Sequence, residues 1–147
     1  MTIEEEIQSK LIAKFGFLQD KIVSKRARRI FVNVPYENVG QVFEFLVKHM
    51  GFGELSSLTG LDNKDTFGII YHLSRDGKVI LNLEVDFAKD KSIQTVTNEF
   101  PAADAYEREL IDLFGMKIVG LPDGSRYPLP DDWPKDEHPL LKDWKQK

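Results

Sequence analysis

The densest chemistry-bearing group in the sequence lies between residues 104 and 112: Asp104, Glu107, Arg108, Glu109 and Asp112. Two carboxyl groups perform acid/base work when they face one another across a cleft with their pKa values held apart. On a helix, Glu107 and Glu109 point about 200° apart and cannot form such a pair. Arg108, by contrast, has Asp104 four residues before it and Asp112 four after. That spacing lets one guanidinium bridge two carboxylates along a single face. The arrangement is a scaffold, read either as a solvated helix face or as a charged docking face. A small hydrolase or lyase using Glu107, Glu109 or His138 is the rival reading with a reaction of its own, and a free-standing ligand-binding regulatory domain is a third.

Other chemistries find less support. His49, His72 and His138 fall on a helix end, a strand and the tail, with no pair at the i, i+4 spacing of helical metal ligands. No glycine-rich phosphate or dinucleotide motif is present, and Gly51-Phe52-Gly53 reads as a helix stop and turn. The chain has no cysteine, so it can build no disulfide, thiolate metal site or cysteine-ligated iron–sulfur cluster. Its 20 cations against 24 anions leave a net charge of −4, which argues against a nucleic-acid partner. The one basic run, Ser24 to Arg29, reads as a solvated loop entering a strand and lacks the interleaved aromatics of single-strand binders. Contact with an acidic partner protein is its other reading.

The elements that must carry these residues follow from periodicity. Ile3, Ile7, Leu11 and Phe15 predict an amphipathic first helix, ended by Gly16 in a left-handed cap. Arg29 to Val34 predicts a strand stopped by Pro35. Val39, Phe43, Leu46, Val47 and Met50 share one stripe of a second helix, with Gly51 as its stop. Val79, Leu81, Leu83, Val85 and Phe87 alternate with Ile80, Asn82, Glu84 and Asp86, which predicts a strand with one buried and one partly wet face. Thr66 to Leu73 is its hairpin partner through the Asp76-Gly77 turn. Glu54 to Leu61, Ser92 to Val96 and Met116 to Val119 are flanking strand candidates. Tyr106, Leu110, Leu113 and Phe114 predict a third helix over 104–114, entered near Pro101 and capped by Gly115.

Helices bunched against a mainly antiparallel sheet give an α+β fold, a sandwich of two layers. Beyond Leu121, five of the seven prolines predict an extended, irregular arm. Its bulky side chains, Tyr127, Leu129, Trp133, Leu140, Leu141 and Trp144, are natural anchors for another protein's pockets. The expected division is therefore a domain over 1–120 and a docking arm over 121–147. With 41% hydrophobic and 30% charged residues the composition is globular. No apolar run approaches the roughly 20 residues of a bilayer span, and the acidic first residues are unlike a signal peptide, so a cytoplasmic placement is expected.

Residues 92–115, Ser-Ile-Gln-Thr-Val-Thr-Asn-Glu-Phe-Pro-Ala-Ala-Asp-Ala-Tyr-Glu-Arg-Glu-Leu-Ile-Asp-Leu-Phe-Gly, resemble the signature of the C-subunit family of respiratory complex I and its relatives in membrane-bound energy-converting [NiFe] hydrogenases and formate hydrogenlyases. The core Glu-Arg-Glu-x-x-Asp-x-Phe-Gly is matched by Glu107, Arg108, Glu109, Asp112, Phe114 and Gly115. The tail adds Pro122-Asp123, Arg126, Leu129 to Pro134 with Trp133, and Pro139-Leu140-x-Lys142-Asp143, followed by Trp144. The family's Gly-His-Pro-Asp stands here as Gly120-Leu121-Pro122-Asp123, and its Pro-Leu-Arg-Lys-Asp as Pro139 to Asp143 with Leu141 in place of the arginine, which removes a bidentate partner for a carboxylate or carbonyl.

The resemblance implies a peripheral-arm subunit that binds no cofactor itself. It would pack on the large catalytic subunit, which holds the quinone site or [NiFe] centre, and beside the iron–sulfur subunits. Membrane association would come only through those partners, at the cytoplasmic face. The partner interface would include Asp104, Glu107, Arg108, Glu109, Asp112, Phe114, Gly115, Arg126, Trp133, Lys142, Asp143 and Trp144. The short chain and its Leu-Pro-Asp-Asp-Trp-Pro tail look more like the hydrogenase branch than the NADH-dependent one.

Overall fold

The structure, a computed structural model, describes residues 1–122 and 127–145. The chain forms two compact units, Met1–Thr59 with Ile69–Asp86 and Gly60–Gly68 with Phe87–Lys147.

In the first unit, helix α1 (Ile3–Lys14) starts at a capping box: Thr2 Oγ1 accepts the Glu5 N–H at 3.1 Å, and the Glu5 carboxylate takes the Thr2 N–H at 3.3 Å. Ile7 and Leu11 are its buried positions. The expected left-handed cap at Gly16 is not formed. Phe15 is the C-cap instead, at φ −130°, and Gly16 opens a short 3-10 turn, Gly16–Leu18, that buries Leu18. The turn is favoured because Phe15 has somewhere to go: its ring meets Phe45 edge-on at 5.5 Å.

Strand β1 (Ile22–Arg26) is where a solvated loop was expected, and it pairs antiparallel with β2 (Arg29–Asn33). Much of the basic run is thus a hairpin. Helix α2 (Val39–His49) buries Val42, Phe43 and Leu46, and the chain leaves it through Gly51 at φ +77°. Strands β3 (Glu54–Asp62), β4 (Thr66–Arg75) and β5 (Val79–Ala88) complete a five-stranded sheet of order β1-β2-β5-β4-β3. Asp76 and Gly77 both take positive φ between β4 and β5, the conformation of a type I′ hairpin turn.

The sheet is mixed and mostly antiparallel. Its β2–β5 pairing is parallel, with Ile30 opposite Leu81 and Val32 opposite Leu83, which places four buried aliphatic side chains in one patch of core. Phe43 of α2 meets Tyr71 of β4 edge-on at 5.4 Å. On the opposite face Asn82 donates through Nδ2 to the Ile30 carbonyl (3.3 Å) and accepts at Oδ1 from His72 Nδ1 (2.6 Å). His72 Nε2 shares a hydrogen bond with the Thr59 hydroxyl at 2.7 Å. His72 is a satisfied side chain of the half-covered strand face.

In the second unit, β6 (Ser92–Gln94) and β7 (Lys117–Val119) pair in parallel. Helix α3 (Ala103–Phe114) ends at Gly115 in the left-handed region, φ +79°, as the sequence predicts. Its buried face differs from the predicted stripe. Ala103, Glu107, Leu110, Asp112 and Phe114 are buried, while Tyr106 and Leu113 are half-buried. The helix approaches β3 closely at Gly60, where a Cβ would lie 2.6 Å from Leu110 Cδ2 and 2.7 Å from the Phe114 ring. Phe67 meets Phe87 at 6.2 Å and Phe114 at 6.5 Å to close this small core.

The segment expected as an extended arm has no helix or strand among its described residues, 127–145, and folds back on this same unit.

Candidate functional site

Helix α3 and the returning arm bring most of the singled-out residues together. Arg108 forks onto Asp104, Nε to Oδ1 at 2.6 Å and a terminal nitrogen to Oδ2 at 3.3 Å. That terminal nitrogen also donates to the Pro122 carbonyl. The expected bridge from Arg108 to Asp112 is not formed; the guanidinium instead ties α3 to the backbone where the chain leaves Gly120 for the arm.

Asp112 instead serves the arm. Its Oδ2 accepts the Leu129 N–H at 3.3 Å, and its carbonyl accepts from His138 Nδ1 at 2.8 Å. One turn's worth of α3 therefore anchors two points of the arm. Leu140 N–H adds a third on the Leu113 carbonyl at 2.9 Å. His138 lies against Gly115, where a Cβ would come within 2.8 Å of the imidazole. Glycine is required there for both its backbone angle and its lack of bulk.

Glu107, expected on a docking face, is instead a core residue with 1% exposure. Its carboxylate accepts from the Thr95 hydroxyl and from the Val96 N–H at 3.0 Å, so it staples α3 to the segment after β6. Burial pushes its pKa up; those two donors oppose the shift, and the charges of Asp104 and Glu99 add to it. A carboxyl group held this way is a structural acceptor. It shares no hydrogen bond with Glu109 or His138, the other members of the rival acid/base reading. Among the described residues, no three of His, Asp and Glu converge as metal ligands.

In the arm, Trp133 donates through Nε1 to the Glu137 carbonyl at 2.8 Å, and its ring lies 6.2 Å from that of Trp144. Trp144 Nε1 is buried and has no hydrogen-bond partner among the described residues. Lys142 contributes its backbone, donating to Asp62 Oδ2 at 2.7 Å, while Asp143 is exposed. Arg126 lies outside the described residues.

Asp62 is the residue that sequence reasoning missed. It is buried at the end of β3, where it pairs with Lys89 at 2.7 Å and also accepts the Lys64 N–H at 2.9 Å. Burial would raise its pKa. Lys89 and the Lys142 and Lys64 N–H groups overcome that and hold it at about 2. Its partner Lys142 is 80 positions away, so no local pattern points to it.

Residues 32–147 match the family described as respiratory-chain NADH dehydrogenase, 30 Kd subunit. The chain belongs to this family. Among relatives of the 30 Kd family, hydrogenase-4 component G of Escherichia coli is 42% identical over 123 residues, which cover 78% of this chain and 22% of that protein. The C subunit of NADH-quinone oxidoreductase from Moorella thermoacetica is 33% identical over 116 residues, 76% of this chain and 77% of that one. The chain thus spans about a fifth of the length of the hydrogenase component it matches.

A solved structure titled as the membrane-bound sulfane sulfur reductase, an archaeal respiratory membrane complex, shares the fold of this 30 Kd family member. The TM-score is 0.83 at 23% identity, over 96% of this chain and 85% of that one. Among the described residues no helix is long and apolar enough to cross a membrane.

Proposed function

We propose that this chain is a cofactor-free, peripheral-arm subunit of a complex I-like, membrane-bound oxidoreductase. In this reading it docks on the large catalytic subunit and beside the iron–sulfur subunits, at the cytoplasmic face, and residues 121–147 are its docking arm. The electron-carrying groups, whether quinone site, [NiFe] centre or iron–sulfur clusters, belong to those partners. The hydrogenase branch is favoured over the NADH-dependent one by the 42% identity to the hydrogenase component against 33% to the Moorella protein.

One observation carries the reading. Four groups of α3 hold the arm, namely Arg108, the Asp112 side chain and carbonyl, and the Leu113 carbonyl, while Tyr127 and Leu140 on that arm stay exposed. An apolar surface fixed in advance loses little entropy on binding, which suits a permanent contact between proteins better than a reaction centre. Arg108 and Asp112 of the charged motif thus serve the arm.

The test is removal and return. Membranes prepared without this chain should lose the complex's electron-transfer activity and recover it when the purified chain is added back. Undiminished activity without the chain contradicts the proposal.

A further inference from the structure

The basic run is left unused by this reading, and its geometry is that of a second contact surface. Residues 21–29 hold Lys21, Lys25, Arg26, Arg28 and Arg29 and no Asp or Glu, in a chain of net charge −4. All five are exposed. The Glu4 carboxylate accepts the Arg28 N–H and faces its charge. Among the described residues Lys21, Lys25, Arg26 and Arg29 make no ion pair.

The structure places these cations around an apolar centre. Val23 and Phe31 face each other across the β1–β2 pair and are 45% and 51% exposed, although both lie within strands. Directly opposed residues of an antiparallel pair project on the same side; Arg29 and Asn33 share the Phe31 side by alternation, Arg26 stands opposite Arg29, Lys21 stands beside Asn33, and Lys25 lies next to Arg26 in the irregular step of β1 between Val23 and Arg26. Beyond Phe31 the face continues to Asn82, with Ile80 beside Arg29 and Glu84 beside Asn33. The hairpin is also an edge, since β1 ends the sheet. An apolar pair rimmed by unpaired cations has the layout of an interface: anchors in the middle, charge at the margin.

We infer that the outer face of the β1–β2 hairpin, centred on Val23 and Phe31 and rimmed by Lys21, Lys25, Arg26 and Arg29, docks an acidic segment of a partner protein that brings its own apolar side chain to Phe31. This names a partner contact within the proposed assembly and rests on that reading. Charge complementarity selects the occupant. Carboxylates satisfy the rim, and a polypeptide also supplies the apolar group that a phosphate backbone lacks. An anionic membrane is disfavoured by the net negative charge of the rest of the chain.

The test uses the complex purified from its own membranes in mild detergent. Acetylation of Lys21 and Lys25 is compared with that of Lys10 and Lys48, which sit in exposed helical pairs with Glu6 and Glu44. Carbodiimide then couples lysines to carboxylates in direct contact. Lys25 should label several-fold more slowly in the complex than in the isolated chain, and its cross-links should map to one acidic stretch of one partner. The variant Arg26→Glu with Arg29→Glu should leave the isolated chain's unfolding transition in place and release it from the complex at lower salt. Labelling equal to that of the isolated chain overturns the inference while the proposed function stands. Protection relieved by nuclease or by delipidation also overturns it, assigning the face to nucleic acid or lipid. Failure of the chain to enter any complex overturns both.

Discussion

The backbone N–H of Lys142 donates to Asp62 Oδ2 at 2.7 Å, tying the last part of the arm to the end of β3. The same carboxylate holds Lys89 and the Lys64 amide, so one buried acid organises three separate segments of the second unit. Its depressed pKa measures how completely those donors outweigh the burial cost.

Asp62→Ala should therefore loosen the arm at its distal point. Leaving Lys89 and two amides without their acceptor should cost ~1–3 kcal/mol, read by urea unfolding, and amide exchange at Lys142 should accelerate while that at Leu140 changes less. The pH dependence has a definite sign. A carboxylate with a folded pKa of about 2 and an unfolded value near 3.8 stabilises at pH above about 4 and loses that contribution as pH falls toward 2. Asp62→Asn should show a flatter stability profile over that acid window.

Glu107 predicts the opposite slope. With its folded pKa raised, its contribution is fully present below the unfolded value of 4.5 and is lost as pH rises through the folded value. Glu107→Gln can still accept from the Val96 amide and donate to Thr95 Oγ, so it should lose less stability than the native chain between mildly acidic and mildly alkaline pH. Glu107→Ala strands both donors in the core and should cost ~1–3 kcal/mol at every pH. Thermal unfolding across a pH series distinguishes the two variants.

Gly115→Ala should be disproportionately damaging. The residue sits at φ +79°, and the added methyl would fall 2.8 Å from His138. The left-handed backbone alone costs an alanine ~1–2 kcal/mol, and displacing His138 should also break its hydrogen bond to the Asp112 carbonyl. Faster proteolysis within 129–141 is the readout that separates loss of the arm from simple loss of helix stability.

Arg108→Lys should show what the fork is for. Its ion pair with Asp104 is partly exposed and is worth under about 1 kcal/mol by itself. A lysine cannot also reach the Pro122 carbonyl in the same fork geometry. A small fall in the unfolding midpoint, with a clear gain in amide exchange after Gly120, is the expected pattern.

Much of this fold is written in short-range pattern. The alternation from Val79 to Phe87, the Asp76-Gly77 turn, the extent of α2 and the Gly115 cap all reflect local backbone and side-chain preferences, and each lies where local pattern places it. What escaped depends on distant partners. Strand β1 is an edge whose apolar residues are one half-buried, Ile22, and one exposed, Val23, so it looks like a charged loop until β2 is beside it. Residue type alone puts Glu107 in solvent; only the Thr95 hydroxyl and Val96 amide make its burial tolerable. The carboxylates of α3 were legible as a cluster, but their division of labour was not. Arg108 was expected to bridge Asp104 and Asp112, yet Asp112 faces the arm. Asp62 was missed because the partners that make it a tie-point, Lys89 and the Lys142 amide, lie 27 and 80 positions away in the sequence.

The central claim is that this chain acts as a fixed part of a larger redox assembly, and its stoichiometry with the other subunits tests that most directly. A tagged copy expressed in the native host, purified from detergent-solubilised membranes and quantified by mass spectrometry, should elute with an equimolar amount of one large oxidoreductase subunit and its iron–sulfur neighbours. A homogeneous chain that elutes alone from those membranes, at any salt concentration, would contradict the account.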